Sequence, residues 1–155
     1  MTGDMPAQVQ NYLLQVNGLI DQHGWAVQHA HGDVTFPPFS YTVGLAKWGH
    51  PEIVVVGLPP AVAQSQLNTL AERVRAGNRL VAGQRIDDLL RSYACVLVTV
   101  ADSRLLPIAN AIYRGDGPPI SAVQLVWPDP AGRFPWQRGC TTRPAAQPLL
   151  GIPVL

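Results

Sequence analysis

The sequence predicts an α+β domain: a mixed or mostly antiparallel sheet, with curling toward a barrel as a variant, two main helices packed on it, and an irregular Pro/Gly-rich C-terminal tail. Three observations lead there. The order of patterned segments is helix, two or three strands, one long helix, further strands, tail. The run Ile53-Val54-Val55-Val56 is apolar on both faces, as a central strand is. Only one long helix separates strands, so the regular βα alternation of a doubly wound sheet is missing.

Val9, Tyr12, Leu13, Val16 and Ile20 fall on one helical face, with Asp4 and Pro6 as start signals and Gly24 as the stop. Trp25, Val27, His29 and His31 then share one face of an extended segment. Turn chemistry occupies Asp33 to Pro38. From Phe39 to Leu45 the alternation is strict, with Phe39, Tyr41, Val43 and Leu45 on one side and Ser40, Thr42 and Gly44 on the other. Lys47 to Pro51 reads as a turn. Pro59-Pro60 opens a second helix with the stripe Ala63, Leu67, Leu70, Ala71 and Val74, closed by Gly77-Asn78. Gly83 to Leu90 fits either an extended piece or one helical turn. Cys95 to Val100 and Ala122 to Trp127 are strands, Leu105 to Tyr113 is a short helix, and the remainder is rich in Pro and Gly.

At 155 residues the chain has the size of a single domain. Charged residues make up 14% and the formal net charge is +1. The arginines, among them Arg73, Arg75, Arg79, Arg85, Arg91, Arg104 and Arg114, form no run, which disfavours nucleic acid as a partner. No apolar run approaches the roughly 18 residues of a membrane helix, and Met1 to Val9 lacks a secretory pattern. A cytoplasmic protein is expected. Cys95 and Cys140 do not suggest a disulfide framework.

The segments Phe39-Ser40-Tyr41-Thr42-Val43-Gly44-Leu45, His50-Pro51-Glu52 and Gly57-Leu58-Pro59 resemble a bacterial family, domain of unknown function 4262. So do Gln124-Leu125-Val126-Trp127-Pro128-Asp129, Gly132-Arg133-Phe134-Pro135-Trp136 and Gln147-Pro148-Leu149-Leu150-Gly151. The resemblance spans most of residues 12 to 151. It implies a compact bacterial protein of uncharacterised activity, without a substrate or cofactor to carry over.

Read as chemistry, His50 and Glu52 flank Pro51 at the start of the most apolar strand. A carboxylate beside an imidazole fixes its tautomer and raises its basicity, which suits a general base or a metal ligand. The competing reading, weighted somewhat higher, is that both satisfy backbone groups of the turn. Tyr41 and Thr42 lie on opposite faces of the neighbouring strand. The small-residue face of Ser40, Thr42 and Gly44 admits either a flat ligand or a packed helix. His29 and His31 can meet one metal, but the ligand count falls short and an exposed edge strand is preferred, with no metal site assigned. Cys140, near Arg138 and Arg143, is a minority candidate for thiol chemistry. Trp127, Phe134 and Trp136 either line a groove or pin the tail, the latter slightly favoured.

The leading expectation is therefore a binding module for a small ligand or protein partner, with Tyr41, Thr42, His50, Glu52, Trp127 and Trp136 around a cleft. The alternative is an enzyme, a hydrolase using His50 and Glu52 or a flavin-dependent protein of split-barrel type. A third is a homodimer closed by the Trp-rich tail.

Overall fold

Two antiparallel meanders of three strands each lie side by side in one sheet in the computed structural model, which describes residues 6–90 and 93–154. Asp4 and Arg91 lie outside the described residues. Helix α1 (Ala7–His23) leads into β1 (Ala26–Ala30), β2 (Phe39–Val43) and β3 (Glu52–Val56). Helix α2 (Pro60–Arg75) crosses to the second meander of β4 (Arg85–Leu90), β5 (Tyr93–Thr99) and β6 (Ala122–Val126), with α3 (Pro107–Tyr113) between β5 and β6. The strand order is β1-β2-β3-β6-β5-β4, and the β3–β6 seam is its one parallel pairing. The sheet is thus mixed and open, with β1 and β4 as its edges, rather than curled into a barrel. Gly83 to Leu90 resolves toward the extended reading as β4.

The two strands at the seam are buried throughout, as the both-face apolar run at Ile53–Val56 required. On one face Ile53, Val55, Cys95, Leu97, Val123 and Leu125 pack under α2, whose Ala63, Leu67, Leu70, Ala71 and Val74 point inward. These are the five positions of the apolar stripe. Gln66 joins them in burial, and neither of its amide atoms has a protein partner. On the other face Tyr41, Val43, Val54 and Val56 pack against Val16 and Ile20 of α1 and Leu106 and Ala109 around α3. The two main helices therefore cover opposite faces.

Helix α1 ends where Gly24 enters the left-handed region (φ 98°) and its N–H reaches Ile20 O at 2.8 Å. Helix α2 starts on Pro60, where a missing N–H costs nothing.

The tail, from Trp127 onward, is held by side-chain amides that imitate strand partners. Gln147 accepts from Trp127 N (2.9 Å) and donates to Trp127 O (2.8 Å). Gln124, fully buried in β6, donates to Pro148 O (3.0 Å) and accepts from Leu150 N (2.8 Å). Buried Asp129 accepts from the backbone N–H groups of Ala131, Arg133 and Thr141 and so closes the loop that carries Phe134.

Gly57, just beyond β3, shows how tightly this strap is drawn. It sits at φ 86°, and a Cβ there would lie 2.1 Å from Ala146 O. Both the conformation and the contact exclude a side chain. Gly57→Ala is expected to destabilise the fold by about 2 kcal/mol or more, read as a lowered urea midpoint, with the loss of tail protection in hydrogen exchange locating the damage.

Candidate functional site

Of the four polar residues expected around a cleft, only Thr42 and Glu52 meet, around one buried carboxylate. Glu52, at the first position of β3, is completely buried. Its Oε1 accepts from Thr42 Oγ1 (2.8 Å) and Leu45 N (3.1 Å), and its Oε2 from Gly44 N (3.0 Å) and Ala46 N (3.1 Å). Thr42 Oγ1 in turn accepts from Ile53 N (2.9 Å), so its hydroxyl proton is committed to Glu52. The three backbone donors belong to the entry of a short 3-10 turn, Leu45–Trp48, whose N–H groups have no partner of their own. Burial pushes the Glu52 carboxyl up to about 7, against the downward pull of the four donated bonds.

His50 turns to a different set of partners. Its Nδ1–H donates to Pro51 O (2.7 Å) and its Nε2 accepts from Leu80 N (3.0 Å), which defines a neutral ring with both nitrogens occupied. Burial lowers its pKa. No hydrogen bond joins it to Glu52 among the described residues. The pair meets the backbone of two separate segments, 44–46 and 80, and the imidazole edge lines a small hollow of about 200 Å³ with Trp48, Arg75, Asn78 and Arg79.

Tyr41 and Thr42 face opposite sides of the sheet, as strand alternation dictates. Tyr41 stacks near Phe39 at 6.1 Å between rings, and its hydroxyl oxygen accepts from Ile108 N at 3.3 Å. The two tryptophans are likewise divided. Trp127 packs on the α2 face and donates Nε1–H to Val56 O (2.8 Å), whereas Trp136 lies on the other face, stacked on Phe134 at 5.1 Å. The six side chains thus line no common cavity. Cys140 is half-buried in the tail, with its thiol 3.5 Å from Arg133 O. His31 lies beyond β1, in the wall of a separate hollow with Phe36 and Phe39. Among the described residues no group of three His, Cys, Asp or Glu side chains converges as metal ligands.

His29 takes a role that spacing alone did not indicate. Its Nδ1 lies 2.7 Å from Ser40 Oγ across the β1–β2 pair, and its Nε2 lies 3.1 Å from Gln64 Oε1 on α2. Since the Gln64 oxygen can only accept, Nε2–H donates to it, while the Ser40 hydroxyl can meet Nδ1 in either role. The arrangement resembles a nucleophile, base and orienting group, yet Ser40 is 2% exposed and its hydroxyl sits inside the sheet. The relay fastens β1 to β2 and α2.

A cleft of about 630 Å³ lies beside that relay at the outer edge of β1. Trp25, Ala26 and Val27 border the sheet edge, α1 contributes Leu19 and His23, and α2 contributes Gln64, Asn68, Glu72 and Arg75. Asn68 Oδ1 accepts from the Trp25 indole N–H (2.9 Å). The Arg75 guanidinium lies 4.8 Å over the same ring, donates to His23 O (3.0 Å) and pairs with Glu72. These residues escaped the sequence reading because it followed the apolar stripe of α2. The available signal was the polar series at i, i+4, i+8 and i+11 on the flank of that helix.

A family model described as Domain of unknown function (DUF4262) matches residues 19–141. The chain belongs to this family. The matched span of this DUF4262 domain holds the whole sheet, the Glu52 hub and Trp127 with Trp136, while most of α1 and the Gln147 to Gly151 segment fall outside it. No curated protein and no solved structure matches the chain.

The Glu52 hub makes a sharp demand on chemistry. All four partners donate, so Glu52→Gln, equal in shape, turns an NH₂ group toward two N–H or O–H donors. It is expected to cost about 3 kcal/mol, close to the cost of removing the side chain, measured by urea denaturation. A well-tolerated Gln would refute the view that this DUF4262 domain needs an acceptor at both oxygens.

His50 predicts a pH dependence. Its folded pKa lies below the ordinary value, so as pH falls below about 6.5 the unfolded chain takes up a proton that the folded chain resists. The stability from His50 is therefore full above that pH and lost on acidification. At Glu52 burial acts in the opposite direction, raising the pKa, while its four donors favour the carboxylate. Comparing native chain and His50→Gln at neutral and mildly acidic pH isolates the His50 part. The native chain should lose more stability on acidification than the variant.

Proposed function

We propose that this chain is a binding module whose ligand, a small molecule or a segment of a partner protein, seats in the cleft at the outer edge of β1. The observation that carries the reading is the cleft itself. A hollow of about 630 Å³ falls within the size range of ligand sites, and it combines an indole surface with a few convergent polar groups. Trp25, 8% exposed and covered on one face by Arg75, forms the rigid floor of the cleft and is held there by Asn68. The unengaged faces of Asn68, Glu72 and His23 supply orientation.

The residues first expected around the ligand serve this module as its frame. Glu52, Thr42 and His50 spend their hydrogen-bonding capacity on the backbone, and a group so occupied has little left for a ligand. His50 retains a place beside the smaller hollow, on the other side of Arg75. The hydrolase reading of His50 and Glu52 needs an imidazole nitrogen free to take a proton, which the bonds to Pro51 and Leu80 oppose.

A library of soluble fragments, screened against the ¹⁵N-labelled full chain by NMR, tests the reading. Binders should shift the Trp25 indole and Asn68 side-chain amide resonances, and Asn68→Leu should weaken them about tenfold, equivalent to about 1.4 kcal/mol. Absence of binders, or shifts centred on Trp48, His50 and Arg79 instead, would overturn the assignment to this cleft.

A further inference from the structure

Building on the cleft reading above, we infer that its natural occupant is an extended polypeptide segment of another protein, which adds to β1 as a seventh strand.

The backbone of β1 offers a ladder with no taker. Gly57 N donates to Pro38 O at 2.8 Å, and Ile53 N points at Thr42. Alternation along an antiparallel strand therefore turns the main-chain groups of Ser40 and Thr42 toward β3, and those of Phe39, Tyr41 and Val43 toward β1. In the observed register these last three lie opposite Ala30, Gln28 and Ala26. The intervening residues, Val27 and His29, consequently direct their N–H and C=O groups outward, where no strand follows among the described residues. Such a row is a template for another chain.

The two edges of the sheet differ in how they meet this hazard. β4 carries Arg85, Asp87 and Asp88 and a register shift between Ile86 and Leu90, the devices that turn strands away. β1, Ala26-Val27-Gln28-His29-Ala30, carries no formal charge at neutral pH, no proline and no bulge. The cleft adjoins the start of this edge, at Trp25, Ala26 and Val27, and His29 continues the edge beyond it.

Its dimensions suit one strand. The polar row Gln64, Asn68, Glu72 and Arg75 runs along α2 for roughly 16 Å at the helical rise, the length of about five residues of strand. Opposite it stand Leu19 and His23 of α1. With a helix on either side, a lone extended segment is the smallest occupant that reaches the edge, and self-association of the peptide-free chain in light scattering would instead assign the edge to a second copy. The His29 relay to Ser40 and Gln64 holds the edge in place before any partner comes, which lowers the ordering cost. Main-chain pairing would supply affinity, and Trp25 with the α2 row would read alternate side chains.

The experiment is a selection of short random peptides displayed on phage against the folded full chain, followed by synthesis of a selected peptide with single N-methyl groups at successive positions. Strand addition requires that N-methylation at alternate residues lower affinity tenfold or more while the residues between tolerate it. The Val27 and His29 amides should also gain protection from hydrogen exchange on binding. Val27→Pro, which removes an outward N–H not used by β2, should weaken the peptide to a similar degree; the N-methyl series decides the matter should that variant fail to fold. Uniform tolerance of N-methylation, or protection elsewhere, refutes strand addition. If no peptide is selected while fragments still bind at Trp25 and Asn68, the strand proposal fails and the binding module survives. Failure of both fragments and peptides removes both.

Discussion

A carboxylate placed where water cannot reach it governs the local architecture of this domain. Glu52 begins the most buried strand of the sheet, and an unpaired charge there would be costly. Four donors from β2 and the following turn converge on it, and each is itself a group that needs an acceptor. The reciprocal requirement fixes the path of the chain. Gly44 lies at φ 137°, and a Cβ there would press within 2.9 Å of the Gly24 carbonyl and the Trp25 backbone, so conformation and contact both call for glycine. Leu45 is then delivered, fully buried, to the core under α2. The start of β1, the turn and the C-terminal part of α2 are packed by the same demand, and Trp25 and Arg75 at the cleft inherit their positions from it.

Much of the framework was legible in the residues. A four-residue run apolar on both faces could only be a strand covered on both sides, and Ile53–Val56 lies at the centre of the sheet. The stripe of α2 and the double proline before it gave a helix with the right face inward. Pairing order was not legible, since local alternation says which face a residue takes but not which neighbour its strand acquires. The parallel seam between β3 and β6 depends on the path of everything between them. Gly83 to Leu90 stayed open because Arg85-Ile86-Asp87-Asp88 alternates poorly, as an edge with one wet side and guarding charges must.

The site followed the same division. Polar residues at strand ends attract a functional reading: Glu52 opens β3, His50 precedes it and Thr42 stands one residue from the end of β2, whereas Tyr41 lies at the middle of β2. What decides their role is the supply of unmet backbone groups nearby, which a sequence does not display. The 3-10 turn at Leu45–Trp48 presents its N–H groups to Glu52, and Leu80 presents one to His50. A motif can thus be specific in sequence because the backbone geometry it satisfies is specific. The cleft, by contrast, is assembled from α1, β1 and α2, and no two of these contribute residues close in sequence except at the α1–β1 junction.

The open edge and the rigid hub are connected consequences of one topology. Two meanders joined at their inner strands leave their first strands outermost, so β1 and β4 must each either meet solvent or be guarded. β4 is guarded by its own side chains. At β1 the flanking helices restrict approach instead, and they do so without covering the strand, because α1 reaches its core with only Val16 and Ile20 buried and α2 leans inward over β2 and β3. The histidine bonded at both nitrogens fastens β1 to β2 and α2, and the same fastening would hold the edge straight for a strand added to it.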